Sequence, residues 1–152
     1  MTRPPSEDHC AIVDLLARGA WALDTGDAGD YARCFLPAGE LVDFRRRPVE
    51  TARGITAIRA LAERWYAETS LRRQHHIGQL AFAPDPLDRG DHWRVRAYVF
   101  LVECLSPAGC ALGWAGYYDD VVCRNGEGWL VRTREVRPWE GAVLANFEDP
   151  RG

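Results

Sequence analysis

Apolar residues recur at helical spacing in the first half of the chain and at strand spacing in the second. Ile12, Leu16, Ala20 and Leu23 make a stripe that predicts a helix to about Asp24, with Ser6 as N-cap and Glu7 and Asp8 in its first turn. Asp27 can cap a short second helix, Ala28 to Phe35, which Pro37 stops. Leu41, Val42 and Phe44 suggest a short strand, and Arg45-Arg46-Arg47-Pro48 reads as a solvated loop that can also screen an acidic substrate. A third helix is expected from Gly54 to Ser70, with Ile55, Ile58, Leu61, Ala62 and Trp65 on one side.

Beyond Leu71 the chain is strand-like, broken by turn signals at Pro84–Asp91, Ser106–Gly109 and Arg124–Gly128. Helices first and then a meander of long strands argue for an α+β fold. Three N-terminal helices are expected to pack on a strongly curved, mostly antiparallel sheet and to enclose a cone-shaped pocket. No repeat or composition shift divides residues 1–152, so a single domain is expected, with residues 1–7 flexible and 140–152 as a C-terminal tail.

The stretch with the most chemistry is Arg73 to Phe82, expected to be the first long strand. Alternation sends His75, Ile77, Gln79 and Ala81 to one face and His76, Gly78, Leu80 and Phe82 to the other. Each face receives one histidine, so periodicity leaves open which is inside. Asp24 ends the first helix at the edge of its apolar stripe, where its carboxylate either meets the core or caps the Thr25-Gly26 turn.

Composition narrows the partners. With 19 basic and 22 acidic residues interspersed, and a net charge of −3, no basic stripe points to nucleic acid. No apolar run approaches the ~20 residues of a membrane span, and the N-terminus lacks an apolar signal region, so a cytoplasmic protein is expected. The five cysteines, at wide spacing, read as reduced and mostly buried thiols, with Cys104 and Cys110 able to face each other across a hairpin. The histidines show no ligand spacing, and the chain carries neither a P-loop nor a GxGxxG motif, so neither a metal nor a nucleotide cofactor is expected.

Trp21-Ala22-Leu23-Asp24-Thr25-Gly26-Asp27, Arg53-Gly54-Ile55, Gln74-His75-His76-Ile77-Gly78-Gln79, Gly116-Tyr117-Tyr118-Asp119-Asp120 and Gly128 to Arg134 stand in an order that resembles SnoaL-like members of the nuclear transport factor two-like superfamily. The resemblance spans roughly Asp8 to Trp139 and implies the cone-shaped α+β barrel. Its scytalone dehydratase and lindane dehydrochlorinase branch pairs an aspartate ending the first helix with a histidine on the first long strand. The matching positions are Asp24 and His75, and the arginine of the last strand falls on Arg134. Leu23 stands where scytalone dehydratase has a water-binding tyrosine, and Val99 where it has a second pocket histidine. The resemblance also implies a homodimer or homotrimer.

Such a dyad suits proton abstraction. A neutral imidazole, with an ordinary pKa of ~6.5, is a good base near pH 7, and an aspartate on its far nitrogen sets the tautomer and stabilises the imidazolium. The expected function is a cofactor-independent lyase or isomerase acting on a small aromatic or polycyclic metabolite. Trp21, Phe35, Trp65, Trp114 and Tyr118 are expected to line its pocket, Tyr118 and Asp120 sharing one strand face. Tyr118 can donate to a substrate oxygen, and Arg134 can orient a leaving group or enolate. The alternatives are a ligand-binding module, a beta-type accessory subunit, or a polyketide cyclase with Asp24 or Asp120 as base.

Overall fold

The computed structural model describes residues 3–68, 72–85, 91–105, 109–126 and 128–140. Helix α1 (Ser6–Thr25) buries Ile12, Leu15, Leu16 and Ala20. It begins one residue earlier than expected: Pro5 is the N-cap, Ser6 is already helical, and no side chain caps the end. Gly26, at φ 77°, ends it in the left-handed conformation that glycine adopts without a Cβ clash, and the Asp27 N–H returns to the Ala22 carbonyl at 2.9 Å. That tight reversal leaves Asp24 in the last turn, aimed across at the sheet. Asp27 then caps α2 (Ala28–Arg33), its carboxylate accepting from the Asp30 N–H at 2.7 Å.

Helix α2 stops two residues short of the expected Phe35, because Phe35 opens a strand. Strand β1 (Phe35–Asp43) runs parallel to the last strand, with Phe35 opposite Val131 and the Val131 N–H bonded to the Cys34 carbonyl at 2.8 Å. A second short strand, β2 (Glu50–Arg53), pairs antiparallel with β1 and leads into α3 (Gly54–Ala67). Helix α3 buries Ile58, Leu61 and Ala62, with Ile55 and Trp65 at the edges of that face. It ends three residues before the expected Ser70, which lies outside the described residues.

Strands β3 (Arg72–Pro84), β4 (His92–Leu105), β5 (Gly109–Asn125) and β6 (Gly128–Pro138) form the antiparallel meander. The sheet order is β2-β1-β6-β5-β4-β3, so β2 and β3 are its edges and the curved sheet does not close. The helices pack into its concave side around a core that includes Ile12, Tyr31, Phe35, Leu41, Val95, Val99 and Val122. The expected turns at 86–90 and 106–108, and the tail from 141 onward, lie outside the described residues.

Bulges in the meander bend the sheet, and each changes which residues face inward. Between Gly78 and Ala81 strand β3 carries one residue more than its partner, with Gln79 at φ 47°. Ahead of the bulge, His75 and Ile77 face the core side. Beyond it, Leu80 and Phe82 do, so the simple alternation expected over the whole stretch breaks at Gln79. Similar shifts fall at Gly113 on β5 and at Arg132 on β6. The cysteines also depart from expectation, since only Cys34 and Cys123 are buried while Cys10 and Cys110 are exposed. Cys104 and Cys110 face each other across the β4–β5 hairpin, Sγ to Sγ at 3.2 Å.

Candidate active site

A cavity of about 600 Å³ opens between the C-terminal end of α1, the side of α3 and the concave face of β3, β4 and β5. Asp24 and His75 both line it. The Asp24 Oδ1 accepts from His75 Nδ1 at 2.6 Å, and Oδ2 accepts from the His75 backbone N–H at 2.9 Å. Both side chains are 15 % exposed, which leaves the pair reachable from the cavity and shielded from bulk water. With Nδ1 donating to the carboxylate, Nε2 of the neutral ring carries the lone pair, and it has no partner among the described residues. His76 points to the other face, exposed, beside the Gln74 side chain at 3.3 Å.

Trp65, Trp114 and Tyr118 line the same cavity. The Tyr118 ring lies against the Arg134 guanidinium, whose Cζ is 4.2 Å from the ring centroid. Burial raises the Tyr118 phenol pKa, against the lowering effect of Arg134 and Arg45, so the phenol stays protonated and able to donate.

Four of the sequence-derived positions do not line the cavity. Trp21 is 71 % exposed, on the opposite side of α1 from the buried stripe. Phe35 is in the core, edge-on to Tyr31 at 5.3 Å, because its strand pairs with β6 behind the cavity wall. Arg134 and Asp120 face inward but are occupied with each other: Arg134 Nε donates to Oδ1 at 3.0 Å and Nη2 to Oδ2 at 2.7 Å. At 2 % and 1 % side-chain exposure they form a sealed ion pair beneath Tyr118.

The arginines of the cavity wall are absent from the pocket residues named from the sequence, where the Arg45-Arg46-Arg47 run reads only as a loop able to screen an acidic substrate. Arg45, Arg46, Arg72 and Arg73 line the cavity with Asp24, Glu68 and Glu103. The Arg45-Arg46-Arg47 run is therefore not simply a solvated loop. Arg45 turns inward because Asp43, at the end of β1 and fully buried, holds it. The available signal was Asp43 itself, an aspartate at an inward position of an apolar strand, which requires a cationic partner. Among the described residues no three His, Cys, Asp or Glu side chains gather as a metal site, and no helix is long and apolar enough to cross a membrane.

The family model described as SnoaL-like domain matches residues 4–135. The chain belongs to the SnoaL-like family. Solved structures share this SnoaL-like protein's fold at low sequence identity. Aln2 from a Streptomyces species is 17 % identical with a TM-score of 0.78, covering 95 % of this chain and 99 % of its own. ActVI-ORFA from Streptomyces coelicolor is 21 % identical at a TM-score of 0.73, covering 84 % and 95 %. An NTF2-like protein with a cystatin-like fold from Novosphingobium aromaticivorans is 24 % identical at 0.74, covering 92 % and 87 %. No curated protein sequence matches the chain.

Proposed function

We propose that this SnoaL-like protein is a cofactor-independent lyase or isomerase that abstracts a proton from a small aromatic or polycyclic substrate, with His75 as base and Asp24 orienting it. The family includes polyketide cyclases and hydroxylase- and isomerase-like enzymes, so the proposal stays within its chemistry. The observation that supports the reading best is the two-point grip of Asp24 on His75 at the wall of a cavity.

In this reading His75 Nε2 takes a proton from a carbon next to a carbonyl. The C–H bonding pair moves into the enolate, and the imidazolium that forms is stabilised by the Asp24 carboxylate at Nδ1. Return of the proton to another carbon isomerises the substrate, and loss of a β-leaving group completes an elimination. Trp65 and Trp114 supply flat walls, and Tyr118 supplies an O–H donor within the same cavity.

The test uses 2-tetralone and 1-tetralone, two flat bicyclic ketones with exchangeable protons beside the carbonyl. Their exchange in D2O is followed by proton NMR. The protein is expected to accelerate exchange above buffer for at least one ketone, and His75→Gln to remove about 100-fold or more of that rate. Exchange no faster than buffer for both ketones, or an undiminished His75→Gln rate, would overturn the enzymatic reading in favour of a ligand-binding module or accessory subunit.

A further inference from the structure

Arg45 is held unlike the other arginines of the cavity. Its Nε and Nη2 donate to the two Asp43 oxygens at 2.8 Å each, and its backbone N–H donates to Oδ1 at 2.9 Å. Its Cζ lies 5.2 Å from the Trp65 ring centroid and 5.0 Å from that of Trp114. One edge of the guanidinium is thus clamped and its plane is packed by indoles. The remaining amino group, Nη1, has no partner among the described residues. Burial works against the Arg45 charge, but the hydrogen bonds and charge of Asp43 outweigh it and raise the pKa, so the group remains cationic.

The position of the neutralising carboxylate matters as much. Arg46 pairs with Glu68 at 2.7 Å and Arg73 lies 3.6 Å from Glu103, and both glutamates line the cavity themselves and offset those charges there, while Arg72 is exposed at its rim. Asp43 is fully buried and is not part of the cavity wall, so it holds Arg45 from behind. The donor left over on this cavity-lining residue is therefore preorganised, which is the condition under which a hydrogen bond to a charged oxygen is strong. Gly116 contributes to this placement. A Cβ there would stand 2.3 Å from Trp114 Cζ2 and 2.2 Å from the Arg137 carbonyl oxygen, so only glycine lets the Trp114 indole fold back along β5 toward Arg45.

We propose that Arg45 is the oxyanion-binding residue of this cavity. Its Nη1 holds the negatively charged, ring-conjugated oxygen of a flat ligand, and the substrate class is accordingly ketones and acids whose oxygen is conjugated to an aromatic or polycyclic system. The proposal rests on the proton-abstraction reading in one respect, namely that this oxygen is the one that becomes the enolate. Its ligand preference stands independently of any turnover.

The probes are 2-naphthoate and its neutral counterpart 2-acetonaphthone, bound at equilibrium and followed by tryptophan fluorescence. The protein is expected to bind the carboxylate about ten-fold or more tightly than the ketone. Arg45→Gln is expected to abolish that preference and Arg45→Lys to keep part of it, whereas Arg46→Gln and Arg72→Gln keep it. Because Arg45→Gln leaves Asp43 buried without its partner, the double variant Asp43→Asn/Arg45→Gln is measured beside it and is expected to lose the preference too. His75→Gln is expected to retain the preference while losing tetralone exchange, which separates a failure of the base from a failure of this site. Equal affinity for the two probes in the unaltered protein, a preference that survives in folded Arg45→Gln and Asp43→Asn/Arg45→Gln, or one that disappears in Arg46→Gln or Arg72→Gln would overturn the proposal.

Discussion

The Asp24 carboxylate contacts His75 at two atoms, the ring Nδ1 at 2.6 Å and the backbone N–H at 2.9 Å, although they stand 51 positions apart in the chain. The ring is thereby oriented in rotation as well as in position, and the end of α1 is tied to the sheet edge at β3.

That double contact makes Asp24→Asn a sharp test. An asparagine oxygen can still accept from the backbone N–H, which turns its NH2 toward Nδ1. The ring then protonates at Nε2, and the lone pair that would take the substrate proton is lost. The tetralone exchange rate is expected to fall about 100-fold or more with little change in Tm. Nitrogen-15 chemical shifts of the ring should report the switched tautomer, and an undiminished rate in this variant would remove Asp24 from the mechanism.

The two neighbouring histidines should behave oppositely. His75→Gln is expected to remove the exchange activity, whereas His76→Gln, on the exposed outer face, should leave rate and stability within experimental error. Paired rate and melting measurements on both variants check this, and loss of activity in His76→Gln alone would place the wrong ring in the cavity.

Gln79 sits at φ 47°, where a residue with a Cβ is strained by about 1–2 kcal/mol. Gln79→Gly should relieve part of that and stabilise the fold by up to about 1 kcal/mol, after the extra chain entropy that glycine loses. Deleting Gln79 should do the reverse. Without the extra residue, His75 and Phe82 cannot both face inward, and denaturant unfolding should show a large loss of stability.

The Arg134–Asp120 pair is expected to be structural. Asp120→Asn or Arg134→Met strands a buried partner and should cost about 3–5 kcal/mol in chemical denaturation. The double change Asp120→Asn/Arg134→Met should recover part of that loss, because no uncompensated charge remains. Full additivity of the two single losses would argue against the pair acting as a unit.

On the surface, the Arg18 hydrogen bond holds the Asp30 carboxyl below its ordinary 3.8, with Arg33 adding to it. A carboxyl depressed on folding stabilises the protein above its unfolded value, and that contribution disappears as pH falls through the folded value. Asp30→Asn is therefore expected to melt about 1–3 °C lower than the unaltered protein at pH 6, with the gap closing as pH drops below 3.8. Melting curves across that range give the answer directly, and a gap that widens in acid would reverse the sign.

The α+β layout follows from local patterning, because helical and strand periodicities and turn residues act over a few positions and are written into the chain itself. The stripe from Ile12 to Leu23, the face from Ile58 to Trp65 and the alternation of β4 to β6 needed no distant partner. Asp24 and the His75-His76 pair stood out for the same reason, as polar groups at the ends or centres of apolar elements. Other features depended on residues far apart. Strand β1 exists over its full length because β6 lies parallel beside it, and no local signal marks a parallel pairing that spans nearly a hundred residues. The inward choice between His75 and His76, the burial of Arg134 under Tyr118 rather than in the cavity, and the exposure of Trp21 were all decided by bulges and by which faces of helix and sheet met. Arg45 belongs to this second group: only the fold brings Asp43, Trp65 and Trp114 around one guanidinium and turns a surface-like basic run into a wall of the cavity.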